Sequence, residues 1–214
     1  MTVKLMPSKT TAIADYRYSL VSTSWGLVAL VGDNTRLCRL IMPGYCRREL
    51  IALIKQEFPA VRHDPDFLPD LKAAITEYFL GRAVKFNCSV DISWATPWGR
   101  EVLRQCIRIK PGKTISYSQL ARQVGRPYAA RAVGSIMAQN KIPLIIPCHR
   151  VVRENGAMGG YSAAGGIEFK KRLLLHESNP TGRYVCARGK KCRRSQGVKR
   201  PVGRSAAKGK QTLL

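Results

Sequence analysis

The chain is poor in acidic residues. Its 214 residues carry 13 Asp and Glu against 37 Lys and Arg, a formal charge of +24. So basic a protein is expected to bind a polyanion, most often nucleic acid, with an anionic membrane surface as the weaker alternative. No segment approaches the ~20 consecutive apolar residues that a spanning helix needs, so no membrane span is expected. Met1–Tyr18 lacks the apolar stretch of a secretory leader. The seven cysteines are odd in number, scattered, and form no C-x-x-C pair. That disfavours a disulfide framework or a zinc cluster and favours a reducing compartment. Histidine is scarce at three. His63, near Asp64 and Asp66, reads as a surface-loop residue rather than a metal ligand.

Hydrophobic residues make up 45% of the chain, enough for an ordinary core in one large or two modest domains. The charge is unevenly spread. From Pro180 onward there are 11 Lys and Arg and no acid, which leaves residues 1–179 basic at +13. Arg183–Gln211 is too polar to fold alone and reads as a disordered basic tail. A sequence-independent grip on phosphates, a localisation signal around Lys190–Arg194 and a solubilising tail all fit it.

The folded part divides near Asp91–Thr96, giving segments 1–93, 94–179 and the tail 180–214. In the first, 18–22 and Gly26–Val31 are strand-like and rich in β-branched residues, and Leu37–Ile41, after the turn residues Gly32-Asp33-Asn34, is another strand candidate. Glu49–Phe58 has helical spacing and stops at Pro59, and Pro69–Leu80 is a second helix ended by Gly81. The first segment is a small α/β domain with no catalytic constellation. The second is mostly helical. Thr96-Pro97 fits an N-cap followed by proline, opening a helix to about Ile107. Ser116 and Gln119 have capping-box spacing for a helix Tyr117–Val124. After the turn Gly125-Arg126-Pro127, a third helix spans about Tyr128–Gln139. Helix, short glycine-containing turn, helix is the helix-turn-helix pattern.

The third helix clusters Ala129, Val133, Ile136, Met137 and Asn140 on one side and Arg131, Gly134, Ser135 and Ala138 on the other. The outward face is nearly bare, with one long cation. It suits close approach to a minor groove better than reading of base edges in a major groove. An ordinary surface helix with small residues is the competing account.

Residues 146–152 read Ile-Pro-Cys-His-Arg-Val-Val, with a thiol beside an imidazole in an apolar run. The thiolate is the nucleophilic form of cysteine, and a neighbouring base is expected to raise its fraction at neutral pH. Alone, a Cys-His pair is more often a buried cysteine beside a structural histidine. Asn155-Gly156 after Val151-Val152 signals a hairpin. Gly159–Gly166 is glycine-rich, suited to lining a pocket for a planar group. No Gly-Lys-Ser/Thr follows, which disfavours a phosphate loop. A last helix covers about Ile167–Glu177. Glu177 falls on its apolar stripe with Leu173 and Leu174, and His176 points away. A carboxylate there, at the unfavourable end of the helix dipole, suggests a buried partner, with His149 the natural candidate. A frayed, exposed helix end explains the spacing equally well.

Together these motifs resemble the O6-alkylguanine-DNA alkyltransferases, the methylated-DNA–protein-cysteine methyltransferases. The resemblance covers most of residues 15–177 and is strongest from Thr96 onward. It rests on Ile146-Pro147-Cys148-His149-Arg150-Val151, Tyr117 in Ile-Ser-Tyr-Ser-Gln-Leu-Ala, Arg131 in Ala-Ala-Arg-Ala-Val-Gly, Asn140, Tyr161-Ser162 and His176-Glu177. The zinc ligands of the human member and the zinc domain of the adaptive-response proteins have no match. The basic tail departs from the family pattern.

The resemblance implies a ribonuclease H-like N-terminal domain and a helix-turn-helix, winged-helix-like second domain. It implies single-turnover transfer of an alkyl group from O6-alkylguanine, after base flipping, to a cysteine, with O4-alkylthymine an open second substrate. Cys148 would be the nucleophile, His149 the base acting through a water, and Glu177 its orienter. Tyr117 and the backbone near Ser162 would stabilise the departing guanine. Gly160, Tyr161 and Ser162 would form the base pocket, and Asn140 would hold the turn before the cysteine. Arg131, with Ala130, Gly134, Ser135 and Ala138, would meet double-stranded DNA in its minor groove. No cofactor and no metal are implied. A monomer is expected, in the cytoplasm or nucleoid, or in the nucleus of a eukaryote. Two other classes remain open: a non-catalytic damage sensor of the same fold, which would lack the cysteine, and a Cys-His hydrolase, which would need an oxyanion hole.

Overall fold

The computed structural model describes residues 3–6 and 15–178; the expected basic tail, 180–214, lies outside the described residues. The first half is built on a six-stranded mixed sheet. Its middle is an antiparallel meander of β2 (Arg17–Thr23), β3 (Gly26–Gly32) and β4 (Leu37–Ile41). The β2–β3 connection is tight, pairing Thr23 with Gly26, and Gly26 takes φ +120°, a conformation open to glycine. Both faces of β3 are covered, as the side-chain alternation of a strand requires. Val28 and Leu30 join the cluster of α2 (Pro69–Phe79), which adds Leu71, Ile75 and Phe79. Ala29 and Val31 join the cluster of α1 (Arg47–Glu57), which adds Leu50 and Ile54.

In this half, three strands and the start of one helix differ from the expectation. β1 (Val3–Met6) and β6 (Cys88–Asp91) pair with each other in parallel, and β6 also lies beside β4. β5 (Arg62–His63) adds to the edge at β2. His63 therefore stands on an edge strand and not in a loop, its ring 4.9 Å from that of Tyr18. These strands are too short to show a period. Helix α1 begins at Arg47, two residues before the expected Glu49. Glu49 instead closes a capping box, accepting from the Cys46 backbone N–H at 2.7 Å.

In the second half α3 (Pro97–Ile107) opens as the sequence suggests, with Thr96 Oγ1 accepting from the Gly99 N–H at 3.1 Å. Helix α4 (Tyr117–Gln123) carries the Ser116–Gln119 capping box. Past its C-cap Val124 the chain turns at Gly125 (φ +73°), and the Arg126 N–H reaches back to the Ala121 carbonyl at 3.0 Å. Helix α5 (Ala130–Ala138) starts two residues later than expected, because Arg126–Ala129 is a turn closed by Ala129 N–H to Arg126 O at 3.0 Å. The hairpin expected at Asn155-Gly156 is a turn without a hairpin. β8 (Val151–Val152) pairs in parallel with β7 (Ile115–Ser116), and the chain then runs irregularly to α6 (Gly166–Ser178). One apolar cluster spans both halves, joining Val21, Leu30 and Val90 to Val102, Leu120, Val133 and Cys148. Among the described residues no helix is long and apolar enough to cross a membrane.

Candidate active site

A short 3-10 turn, Cys148–Arg150, carries the thiol and the imidazole. Asn140, just past α5, fixes the approach to it. Its Nδ2 donates to the Ile146 carbonyl at 2.8 Å, and its Oδ1 accepts from the Ile142 N–H at 3.0 Å. Two buried hydrogen bonds from one side chain hold this seven-residue bend, which contains Leu144 at φ +75°.

Glu177 lies at the centre of a buried polar cluster, so the frayed-end alternative fails: its side chain is 1% exposed. Oε1 is 2.9 Å from His149 Nε2 and accepts from Tyr78 Oη at 2.8 Å. Arg150 grips both oxygens, Nε to Oε2 at 2.8 Å and Nη2 to Oε1 at 2.7 Å, and its Nη1 donates to the Ile109 carbonyl at 2.5 Å. Burial opposes the carboxylate charge, but the hydrogen bonds from His149 and Arg150 overcome it and hold the group far below the usual carboxylate range. Burial also lowers the His149 pKa, with the Arg150 charge acting in the same direction and Glu177 against it. The imidazole is therefore neutral at neutral pH. A carboxylate can only accept, so Nε2 carries the proton and Nδ1 keeps its lone pair. Nδ1 is buried with no hydrogen-bond partner among the described residues.

Cys148 is buried, and burial raises its pKa; the Asn140 side chain and the Lys170 charge offset this only in part. The expectation that the neighbouring base raises the resting thiolate fraction is thus corrected: desolvation dominates, and the resting group is a thiol. Cys148 lines a cavity of about 440 Å³, together with Asn140, Tyr161, Ser162, Met42 and Trp94. Ala138, at the end of α5, lines it too. The exposed face of that helix therefore leads to the cavity that holds the thiol. Arg131, Ser135 and Ala138 are exposed on that face, with Ala130 and Gly134 half-buried.

Tyr117 and Gly160 are not among the residues lining this cavity. Tyr117 is half-buried beside Gly159, where an added Cβ would stand 2.1 Å from its hydroxyl. The backbone of the glycine-rich segment passes directly over the ring, which only glycine allows. A Cβ added at Gly160 would meet nothing within 4 Å. The buried Lys170 has its Nζ 5.7 Å from the Tyr117 ring centroid and donates to the Val151 carbonyl at 2.6 Å. Burial lowers its pKa.

Three contributions were not read from the sequence. Arg150 stands inside the Cys-His run, yet its pairing with Glu177 was missed. Lys170 lies on the same stripe of α6 as Leu173, Leu174 and Glu177, a second charge on an apolar face, and that signal was available. The first half, expected to hold no part of a catalytic constellation, supplies Tyr78 to Glu177 and the Arg39–Met42 strand end and Tyr45 to the cavity wall. His176 does not point out to solvent. It is buried, with Nε2 2.5 Å from the Tyr78 carbonyl and its ring 4.9 Å from that of Trp25. Among the described residues no group of three or more His, Cys, Asp or Glu could hold a metal.

Residues 97–179 match the family described as 6-O-methylguanine DNA methyltransferase, DNA binding domain. The chain is 36% identical over 168 residues to the regulatory protein ada of Salmonella typhimurium, covering 76% of this chain and 45% of that protein. It is 54% identical over 84 residues to the methylated-DNA–protein-cysteine methyltransferase of Mus musculus, 39% of each. These matches thus span less than half of either relative. Among solved structures, OGT of Mycobacterium tuberculosis in complex with DNA superposes with a TM-score of 0.65 at 30% identity, covering 78% of this chain and 96% of that one. A buried Cys148 that lines a cavity, followed by a His149 paired with Glu177, in a fold and sequence with these relatives, places the chain in the O6-alkylguanine-DNA alkyltransferase family, the methylated-DNA–protein-cysteine methyltransferases.

Proposed function

We propose that the protein repairs DNA directly, moving the alkyl group of an O6-alkylguanine to the sulfur of Cys148 in a single turnover. The observation that carries this reading is the fixed tautomer of His149. Glu177 holds Nε2–H, so a neutral, buried Nδ1 is left to accept the thiol proton through a water. The thiolate then attacks the alkyl carbon in line with its bond to O6. The S–C bond forms, the C–O6 bond breaks, and the electron pair leaves with guanine, whose charge Tyr117 and the backbone near Ser162 would stabilise. The product is a thioether, so each molecule acts once. The chemistry needs no cofactor.

The partner is double-stranded DNA, approached from the minor groove. The small side chains of Ala130, Gly134, Ser135 and Ala138 let α5 come close, and Arg131 fills the place that the flipped base vacates. Tyr161 and Ser162, which line the cavity, shape the base pocket. The names of the relatives and the presence of DNA with the mycobacterial protein support this reading. The mixed sheet with a helix on each face fits a ribonuclease H-like domain over residues 1–93, and α4–α5 with β7–β8 fits a winged helix-turn-helix over 94–179. The tail, 180–214, would add a sequence-independent grip on phosphates. The protein would work as a monomer wherever the cell keeps its DNA, in cytoplasm and nucleoid or in a nucleus.

A duplex carrying radiolabelled O6-methylguanine tests the proposal. One label should move to the protein, and mass spectrometry should place it on Cys148. Label on Cys106 or another thiol would refute the assignment. Cys148→Ser should accept none while still binding DNA.

A further inference from the structure

We infer that Tyr128 is an aromatic contact to the sugar wall of the duplex, set at the leading end of α5, and that it adds binding energy independent of charge. The inference rests on the DNA-repair reading above. The Tyr128 side chain is fully exposed, at 100%. It sits in the turn Arg126–Ala129, which is held on the N-terminal side of Tyr128. Pro127 restricts the backbone before it, and the Arg126 guanidinium lies 5.0 Å from the centroid of the Trp98 ring. The turn is thus anchored while its one large apolar side chain is left in water.

The position matters more than the exposure, since a single exposed apolar residue is common. Arg131, Ser135 and Ala138 are exposed on one side of α5, and Tyr128 stands in the turn that leads into that helix, two residues before its first residue Ala130. A surface laid along the exposed side of α5 and continued past its first turn reaches the segment that carries this ring. No Asp or Glu stands between Arg126 and Asn140, in a chain of net charge +24. This side of the helix therefore suits a polyanion with apolar faces between its charges. A DNA backbone has that character, its deoxyriboses presenting C–H surface between phosphates. Tyrosine is suited to such a boundary, with a flat apolar body and a wet hydroxyl.

The full chain supplies the test, by fluorescence anisotropy on an undamaged duplex across a salt series. Tyr128→Ala should weaken binding about five- to tenfold, the effect of burying part of one aromatic ring. The slope against salt should not change, because no phosphate charge is neutralised by the ring. Tyr128→Phe should bind as wild type. The melting temperature of either variant should be unchanged, since the side chain has no packing to lose. Wild-type affinity in Tyr128→Ala would overturn the inference. A Phe variant as weak as Ala would make the hydroxyl the contact, and a shallower salt slope would make it electrostatic; either result refutes a ring contact. A change in sedimentation of the DNA-free protein would assign the ring to a second copy instead. Transfer from free O6-benzylguanine to Cys148 is the separate readout. Its failure in wild type would remove the repair reading, while the duplex measurements would still decide Tyr128.

Discussion

Arg150 and Glu177 form a buried bidentate pair, with Nε and Nη2 of the arginine on the two carboxylate oxygens at 2.8 and 2.7 Å. The acid that orients His149 is therefore already neutralised from its other side. Its negative charge is not available in full to stabilise an imidazolium, and the Arg150 charge itself disfavours one. In the mechanism proposed above, Glu177 would act mainly by fixing the tautomer and the ring, one of the two roles of the acid in a serine-protease triad.

Replacing Glu177 by Gln should have two separable effects. Arg150 would be left buried without its counter-charge, so stability should fall by about 3–5 kcal/mol, the cost of breaking a buried pair. The Nε2 partner would also become ambiguous, and the folded protein should transfer alkyl groups roughly a hundredfold or more slowly. Urea unfolding reads the first and single-turnover kinetics on folded protein the second. Wild-type rates would reduce Glu177 to a structural residue.

The reach of the sequence can be judged at this cluster. Glu177 could be read as needing a partner because it breaks an apolar stripe, and His149 was the evident candidate. Tyr78 could not be read. It lies 99 residues from Glu177, and its helix spacing already explained it as a core residue. Arg150 was hidden differently, since an arginine beside a cysteine reads as a surface charge until the fold buries it. The core strands β2 and β3 are legible because they are seven residues long with buried β-branched positions, and β4 because turn residues precede it. The short strands β1, β5 and β6 carry two to four residues each, too few to express a pattern.

The pH dependence follows from the neutral imidazole. Its pKa lies below the ordinary 6.5, and that of the thiol lies above the ordinary 9.0. Transfer from free O6-benzylguanine should be level from about pH 6.5 to 9 and should fall only below 6.5, as His149 is protonated. Stability changes must be separated from this. The unfolded chain takes up the histidine proton first, so burying His149 neutral costs stability progressively below pH 6.5. The depressed Glu177 stabilises fully above its ordinary 4.5, and that contribution is lost as pH falls through its lower folded value. Circular dichroism at each pH identifies the folded fraction. A rate midpoint at or above 6.5 in folded protein would contradict a neutral resting imidazole.

Gly159→Ala should damage the site without touching the thiol. The new Cβ would stand 2.1 Å from the Tyr117 hydroxyl, so either the ring or the glycine-rich segment must move. Transfer should slow by about tenfold or more on duplex and free base alike, since both need the leaving guanine stabilised. Gly160→Ala has open space and should be close to wild type. Equal rates in the two variants would remove Tyr117 from the chemistry.

Arg131→Ala separates extrusion from transfer. The side chain is exposed on the bare face of α5, so its loss should leave the fold intact. A base leaving the stack costs a few kcal/mol, which an inserted side chain offsets in part. Repair of O6-methylguanine in a duplex should therefore slow about tenfold or more, while transfer from free O6-benzylguanine, which has no stack to leave, should not change. Loss on both substrates would instead indicate a disturbed site. Loss on neither would mean that the bare face of α5 is ordinary surface, and the route from that face through Ala138 to the cavity would not be the path of the base.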